Sequence, residues 1–298
     1  MKKAVLVLII VLVTLFLFFI SLAAAPKEEL IEKTFPVDVS KPVFLEFRDV
    51  DGSLRFAGSD KNLIQVRVKK ETESSDPKKA AELLEATKVE ISQLGNTVRV
   101  EIRYPRRGIR FWFHEDQWIR VSTEILLPSN ANLDCRLADG SIHGESVSGD
   151  LKLKTVDGPI EVSNTTGSLL AHSADGRIEL QNIKGRVEAS STDGDISISG
   201  QVSRLAVDTS DGDVSVEVGP QAIMEANWRI ETSDGDVDLI VPKDFSADFT
   251  FQTGDGQIDC QVPLTGLDTT SKRRLSGKLN QGSKLFTIST GDGKILVR

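Results

Sequence analysis

The chain has 298 residues, with 36 Lys and Arg against 44 Asp and Glu, for a formal net charge of -8. This length accommodates one large domain or two ordinary ones. The acidic balance argues against a nucleic-acid binder, which needs a basic surface to release counterions from phosphate.

The first residues, Met1-Lys2-Lys3, lead into an unbroken apolar run from Ala4 to Ile20, and Ser21-Leu22-Ala23 then supplies small residues at signal-peptidase spacing. Residues 1–25 are therefore expected to direct export, either as a signal peptide cut after Ala23, the favoured reading, or as a retained membrane anchor. Pro26 forbids a cut after Ala25, and no Cys follows the run to take a lipid. Periplasm, cell surface and extracellular space are the expected locations. Contact with a membrane is expected only through this segment, if it is uncleaved.

Residues 26–130 are expected to form strands, a short helix and a cap. Stretches 34–70 and 89–127 alternate apolar and polar side chains as strands do. Asp76-Pro77 reads as an N-cap with Pro at the first helical position, opening a helix through Lys88 with Ala80, Leu83, Leu84 and Thr87 on one face. The stretch Arg106-Arg107-Gly108-Ile109-Arg110-Phe111-Trp112-Phe113-His114 through Trp118 mixes Arg with aromatic residues. That mixture is favoured at binding hot spots and also serves ordinary cap packing.

From residue 131 to 298 the chain repeats. Asp-Gly occurs at Asp139-Gly140, Asp157-Gly158, Asp175-Gly176, Asp193-Gly194 and Asp211-Gly212, an 18-residue spacing held through four intervals. Asp234-Gly235, Asp255-Gly256 and Asp292-Gly293 follow at wider spacings, and Asp51-Gly52 lies far upstream. Six residues before each Asp of the main series stand Leu133, Leu151, Leu169, Val187, Leu205, Trp228, Phe249 and Phe286, and three after it Ile142, Ile160, Ile178, Ile196, Val214, Val237, Ile258 and Ile295. Thr or Ser sits two before it at Thr155, Ser173, Ser191, Thr209, Thr232, Thr253 and Thr290, where a hydroxyl can satisfy backbone groups. In this reading Gly supplies a positive φ, and the motif is strand, Asp-Gly turn, strand. A constant repeat length with one residue type at each offset favours an all-β solenoid over the alternative, an antiparallel meander of Asp-Gly hairpins. Asp51, with Leu45, Phe47, Leu54 and Phe56 around it, is expected to join the same core.

The units Thr209-Ser210-Asp211-Gly212-Asp213-Val214 and Thr232-Ser233-Asp234-Gly235-Asp236-Val237 resemble the bacterial "putative adhesin" family of β-strand-repeat domains of unknown function. The resemblance covers roughly residues 34 to 298. It implies a single-stranded right-handed β-helix in an envelope or surface protein, with an adhesin role.

Asp193/Asp195, Asp211/Asp213 and Asp234/Asp236 place two carboxylates per coil near a turn, which suits calcium. The opposite corners lack the Gly-rich nonapeptides of calcium-binding β-rolls, so these Asp residues read as turn formers and no metal site is assigned. A stacked carboxylate pair could also serve a polysaccharide-active enzyme, but solvated turn tips do not raise the pKa of a general acid. His114, His143 and His172 show no metal-ligand spacing, so neither catalysis nor a cofactor is expected. Cys135 and Cys260 fall in apolar columns of distant coils, too far apart for a disulfide. Lys272-Arg273-Arg274 with Lys278 reads as a solvated loop, or as a contact for acidic polymer or lipid.

The expected protein is a non-enzymatic, exported, adhesin-like binding or scaffolding module, with Arg107, Arg110, Trp112 and Trp118 as the candidate surface. A cell-envelope polymer, glycan or surface protein would be its partner, and nucleic acid would not. The alternative is a structural envelope or stress-response protein without a specific ligand.

Overall fold

The computed structural model describes residues 27–105 and 119–298. Residues 1–25, expected to direct export, and Arg107 to Trp118, expected to offer a binding surface, lie outside these residues. In chain order the described elements are β1 (Glu28–Pro36), β2 (Phe44–Arg48), β3 (Gly52–Ser59), β4 (Leu63–Thr72), α1 (Pro77–Ala86), β5 (Lys88–Leu94), β6 (Thr97–Arg103), β7 (Ile119–Pro128), β8 (Asn132–Arg136) and β9 (Ile142–Glu145). They continue with β10 (Ser148–Lys154), β11 (Ile160–Ser163), β12 (Thr166–His172), β13 (Ile178–Ser190), β14 (Ile196–Asp208), β15 (Val214–Val218), β16 (Trp228–Glu231) and β17 (Val237–Ile240). The last are β18 (Ala247–Thr253), β19 (Ile258–Cys260), β20 (Leu264–Thr270), β21 (Arg274–Leu279), β22 (Leu285–Thr290) and β23 (Ile295–Val297).

The regular strands pair in parallel and in register. β10 lies between β8 and β12 with Leu133, Leu151 and Leu169 in line, and β11 lies between β9 and β13 with Ile142, Ile160 and Ile178 in line. This is the solenoid; hairpins would have paired antiparallel. Each rung has one strand before its Asp-Gly turn and one after it, so two faces enclose a shared core from Val37 to Val297. Alternate side chains enter that core because successive Cβ atoms of a strand point to opposite sides. β13 and β14 run unbroken round the corner opposite the turns, with a register shift between Leu180 and Ile183.

The rungs do not stack in chain order at either end. The Asp51 rung sits between the Asp139 rung and β6 with β7: β2 pairs with both β8 and β6, and β3 with both β9 and β7. At the other end the Asp292 rung is inserted between those of Asp234 and Asp255, because β22 pairs with β16 and β18, and β23 with β17 and β19. The long interval between Asp255 and Asp292, read from sequence as a loop, is the antiparallel hairpin β20–β21, which closes the free side of β18. The chain must then return inside it. Aromatic packing follows this interleaved order: Trp228 lies 5.3 Å from the Phe286 ring, and Phe286 lies 5.9 Å from that of Phe251.

At the N-terminal end β4 runs antiparallel to β7, and β1 antiparallel to β4. The exposed β1 carries Glu28, Glu29 and Glu32, paired with Lys69, Lys70 and Arg67. Charge of this kind blunts an edge that would otherwise recruit another strand. Asp76 caps α1 by accepting from the Lys78 amide at 2.9 Å. The helix stops at Ala86, two residues before the sequence expectation, because Lys88 begins β5. Buried Lys70 donates to the carbonyls of Leu84 and Thr87 at its C-terminal end.

The turn chemistry differs from expectation in one respect. Among the Asp-Gly glycines only Gly140 has a positive φ. The others are needed for clearance: a Cβ on Gly176 would lie 1.9 Å from the Gly158 carbonyl oxygen, and one on Gly235 would lie 1.9 Å from that of Gly212. The Ser/Thr column also reaches across rungs. Thr232 Oγ1 lies 3.2 Å from the carbonyl oxygens of both Ser210 and Gly212 on the previous rung, and accepts from the Gly235 amide at 3.1 Å. Thr155, Ser173, Ser191, Thr209, Thr253 and Thr290 are buried in the same role.

Gly176→Ala should therefore cost more than about 3 kcal/mol in urea unfolding, since neither backbone can yield. Gly95→Ala, at φ 59 with nothing within 4 Å of a new Cβ, should cost only about 1 kcal/mol. Thr232→Val should cost about 1 to 3 kcal/mol by stranding buried backbone groups.

Candidate binding surface

The most conspicuous polar feature is the Asp-Gly edge, where Asp139, Asp157 and Asp175 stack one above another. Asp157 is held above the usual carboxylate range by desolvation, then by hydrogen bonding and repulsion with Asp139 and Asp175. The first Asp of each motif is fixed by its backbone. The amides of Val156 and Asp157 both donate to the Ala138 carbonyl, and the pattern recurs with Ala174 and Asp175 on Val156, and Thr192 and Asp193 on Ala174.

The second Asp of the D-G-D units also joins rungs. Asp195 Oδ1 accepts from the Asp213 amide at 2.9 Å, Asp213 Oδ1 from the Asp236 amide at 2.8 Å, and Asp236 Oδ1 from the Lys294 amide at 2.7 Å. The last bond again joins rungs in spatial rather than chain order. These carboxylates therefore have a task in the fold that requires no cation. Among the described residues no group of three His, Cys, Asp or Glu is placed to hold a metal.

Opposite the Asp-Gly edge, Asn164 and Asn182 adopt left-handed conformations, with φ of 55 and 51, and Asn182 Nδ2 donates to Asn164 Oδ1 at 2.7 Å. This second ladder was not anticipated. Asn at a constant offset, followed by Gly167 and Gly185, was the available signal.

On the outer face after the turns, a shallow cleft of about 230 Å³ is lined by Arg55, His143, Glu161, Glu179 and Gln181 among others. Glu161 is engaged on both sides, with His143 Nε2 at 3.0 Å and Arg177 Nη2 at 2.9 Å. These partners belong to different rungs, so the group reads as another inter-rung clasp.

Cys135 and Cys260 are free, as their distant rungs require. Burial pushes the Cys135 thiol well up. Lys272, Arg273, Arg274 and Lys278 are exposed on the β20–β21 hairpin, and Arg273 pairs with Asp255 at 3.2 Å. On β21, Arg274 and Lys278 face outward while Leu275 and Leu279 enter the core. Arg107, Arg110, Trp112 and Trp118 lie outside the described residues, between the end of β6 and the start of β7.

The family profile described as Toastrack DUF4097 matches residues 53–298. The chain belongs to this family. Toastrack proteins are β-helix-like, as the parallel register requires of this chain. No curated protein matches it. Among solved structures it is similar to one described as a "putative cell adhesion protein" from Clostridium sporogenes, at 14% identity and a TM-score of 0.29, covering 90% of this chain and 99% of that one. A "putative adhesin" from Bacteroides fragilis matches at 13% identity and a TM-score of 0.33, covering 91% and 97%. A "putative lipid binding protein" from Parabacteroides distasonis matches at 12% identity and a TM-score of 0.38, covering 92% and 98%. Superpositions this loose carry no functional assignment.

If the D-G-D carboxylates act only between rungs, thermal melting should be identical in chelator and in calcium. Asp213→Ala should lose about 1 kcal/mol by releasing the Asp236 amide, while Asp213→Asn, which keeps an acceptor oxygen, should melt near the parent.

Proposed function

We propose that this Toastrack protein is an exported, non-enzymatic recognition or scaffolding module of the cell envelope, presenting a rigid lateral surface to an envelope polymer, glycan or surface protein. The observation that carries this reading is the use of the recurring polar residues: the Ser/Thr hydroxyls and the second Asp of each D-G-D unit are engaged between rungs. What remains for recognition is whatever does not recur.

Two stretches qualify. The Arg107, Arg110, Trp112 and Trp118 segment lies outside the repeat and has the composition of a hot spot. The C-terminal stretch 272–298 carries seven Lys and Arg against one Asp in a chain that is acidic overall, and Lys272, Arg274 and Lys278 are exposed at that end. Export rests on Lys2, Lys3 and the apolar run from Ala4 to Ile20. Among the described residues no helix is long and apolar enough to cross a membrane.

The test is cosedimentation of the chain lacking residues 1–25 with cell-wall polymer, immobilised glycans and anionic liposomes. Trp112→Ala/Trp118→Ala and Arg274→Ala/Lys278→Ala variants accompany it, each checked for an unchanged melt. A loss of about tenfold or more in the first variant places recognition on the aromatic segment, and the same loss in the second places it on the basic hairpin. No binding by the parent chain to any of these overturns the recognition reading and leaves a structural envelope protein.

A further inference from the structure

The Ser/Thr column is broken at the Asp51 rung, where Asp49 occupies the place of the hydroxyl. The residue is 7% exposed. Its Oδ1 accepts from the amides of Val50 and Asp51 at 2.7 and 3.3 Å, while Oδ2 is buried with no hydrogen-bond partner. Leu137 fills this place in the Asp139 rung, and from the Asp157 rung onward Ser or Thr donates there to carbonyls of a neighbouring rung, with Ser173 also accepting from the Gly176 amide. At the Asp51 rung the Gly52 amide goes to the Asp139 carbonyl instead.

The groups facing Asp49 do not neutralise it. Asp51 on the same turn repels it, and the Tyr104 hydroxyl, arriving from the end of β6, donates to the Asp51 carbonyl and favours the ionised carboxyl too weakly to offset its burial. Arg48 and Arg136 are turned to Asp134, each at 3.2 Å. Arg120 on β7 and Asp139 on the next rung line an opening beside Asp51. Among the described residues no cation lies within ion-pair distance of Asp49.

We infer that Asp49 is a pH-sensitive clasp between the N-terminal cap and the regular rungs: protonated, it offers the donor that Ser or Thr supplies elsewhere, and ionised, it leaves an unpaired buried charge that loosens β2 and β3 from the strands covering them. Burial is the main cause that pushes its carboxyl up to about 6, with the Val50 amide and Tyr104 opposing. The folded value lies above the unfolded one, so the stabilisation is complete below about pH 4 and is lost as pH rises through about 6. The device is separate from the recognition surfaces proposed above and stands or falls without them.

Hydrogen exchange of the full chain at about pH 4 and about pH 7.5, corrected for intrinsic rates, tests it. Amides of β2 and β3 should open roughly 50-fold more often at the higher pH, with no such change in β14 and β15. Asp49→Asn and Asp49→Thr should abolish the pH dependence and protect β2 and β3 at both values. An equal pH dependence in the parent and Asp49→Asn would overturn the clasp, and so would loosening that extends equally to β14 and β15. If Asp49→Thr does not fold, the near-isosteric Asp49→Asn decides alone.

Discussion

The approach of one backbone to the next at the Asp-Gly edge governs this molecule. Successive glycines meet so closely that no Cβ fits between them: one on Gly194 would lie 2.3 Å from the Gly176 carbonyl oxygen. Parallel strands lie roughly 4.8 Å apart, and holding their turns at that spacing demands that every group there find its partner on a neighbouring rung. The glycine, the hydroxyl two residues before the Asp and the second Asp are three answers to one demand. The glycine recurs at every Asp-Gly turn, the hydroxyl from the Asp157 rung onward, and the second Asp at Asp195, Asp213 and Asp236.

This accounts for why recurrence and function point in opposite directions here. A carboxylate present in rung after rung is tempting as a metal ligand or a catalytic pair. Yet Asp195, Asp213 and Asp236 each hold the amide of the rung above. The informative positions are those where a column breaks. Gly144 stands in an inward column, and the Phe56 ring occupies the space its side chain would have taken. Asp49 stands in the hydroxyl column, where a carboxyl offers a donor only when protonated.

Much of the architecture was legible because the repeat exposes its own register. Residues that face each other across rungs, such as Leu151 and Leu169 or Ile160 and Ile178, are also 18 apart in the chain. The Asp76-Pro77 cap was legible for a local reason, since the side chain and the ring act within one turn. Three things were not legible. The glycine requirement lies between rungs, and a positive φ is only the commoner reason for glycine. The hydroxyl ladder spans rungs, while sequence reasoning looked for its partners within the turn. The order of the outer rungs depends on strands distant in sequence, and a wide interval between Asp-Gly pairs does not distinguish a loop from a returning hairpin. For the recognition surface, composition singled out Arg107 to Trp118, whereas the described geometry bears on the hairpin alone.

The interleaved ends carry a consequence for how the stack resists opening. In a solenoid built in chain order the terminal strands are also the outermost, so fraying and strand exchange begin there. Here β22 and β23, the last strands of the chain, lie between two other rungs, and Arg298 is tied to Asp238 at 2.7 Å. The outermost positions belong to the β20–β21 hairpin and the Asp255 rung, which are internal to the chain and tethered on both sides. The Asp51 rung is likewise enclosed by β6 and β7. Peeling strands from the C-terminal end of the stack must therefore displace a segment whose own neighbours in sequence are held deeper in the core. That arrangement protects sheet edges by topology, where the charges of β1 protect them by repulsion.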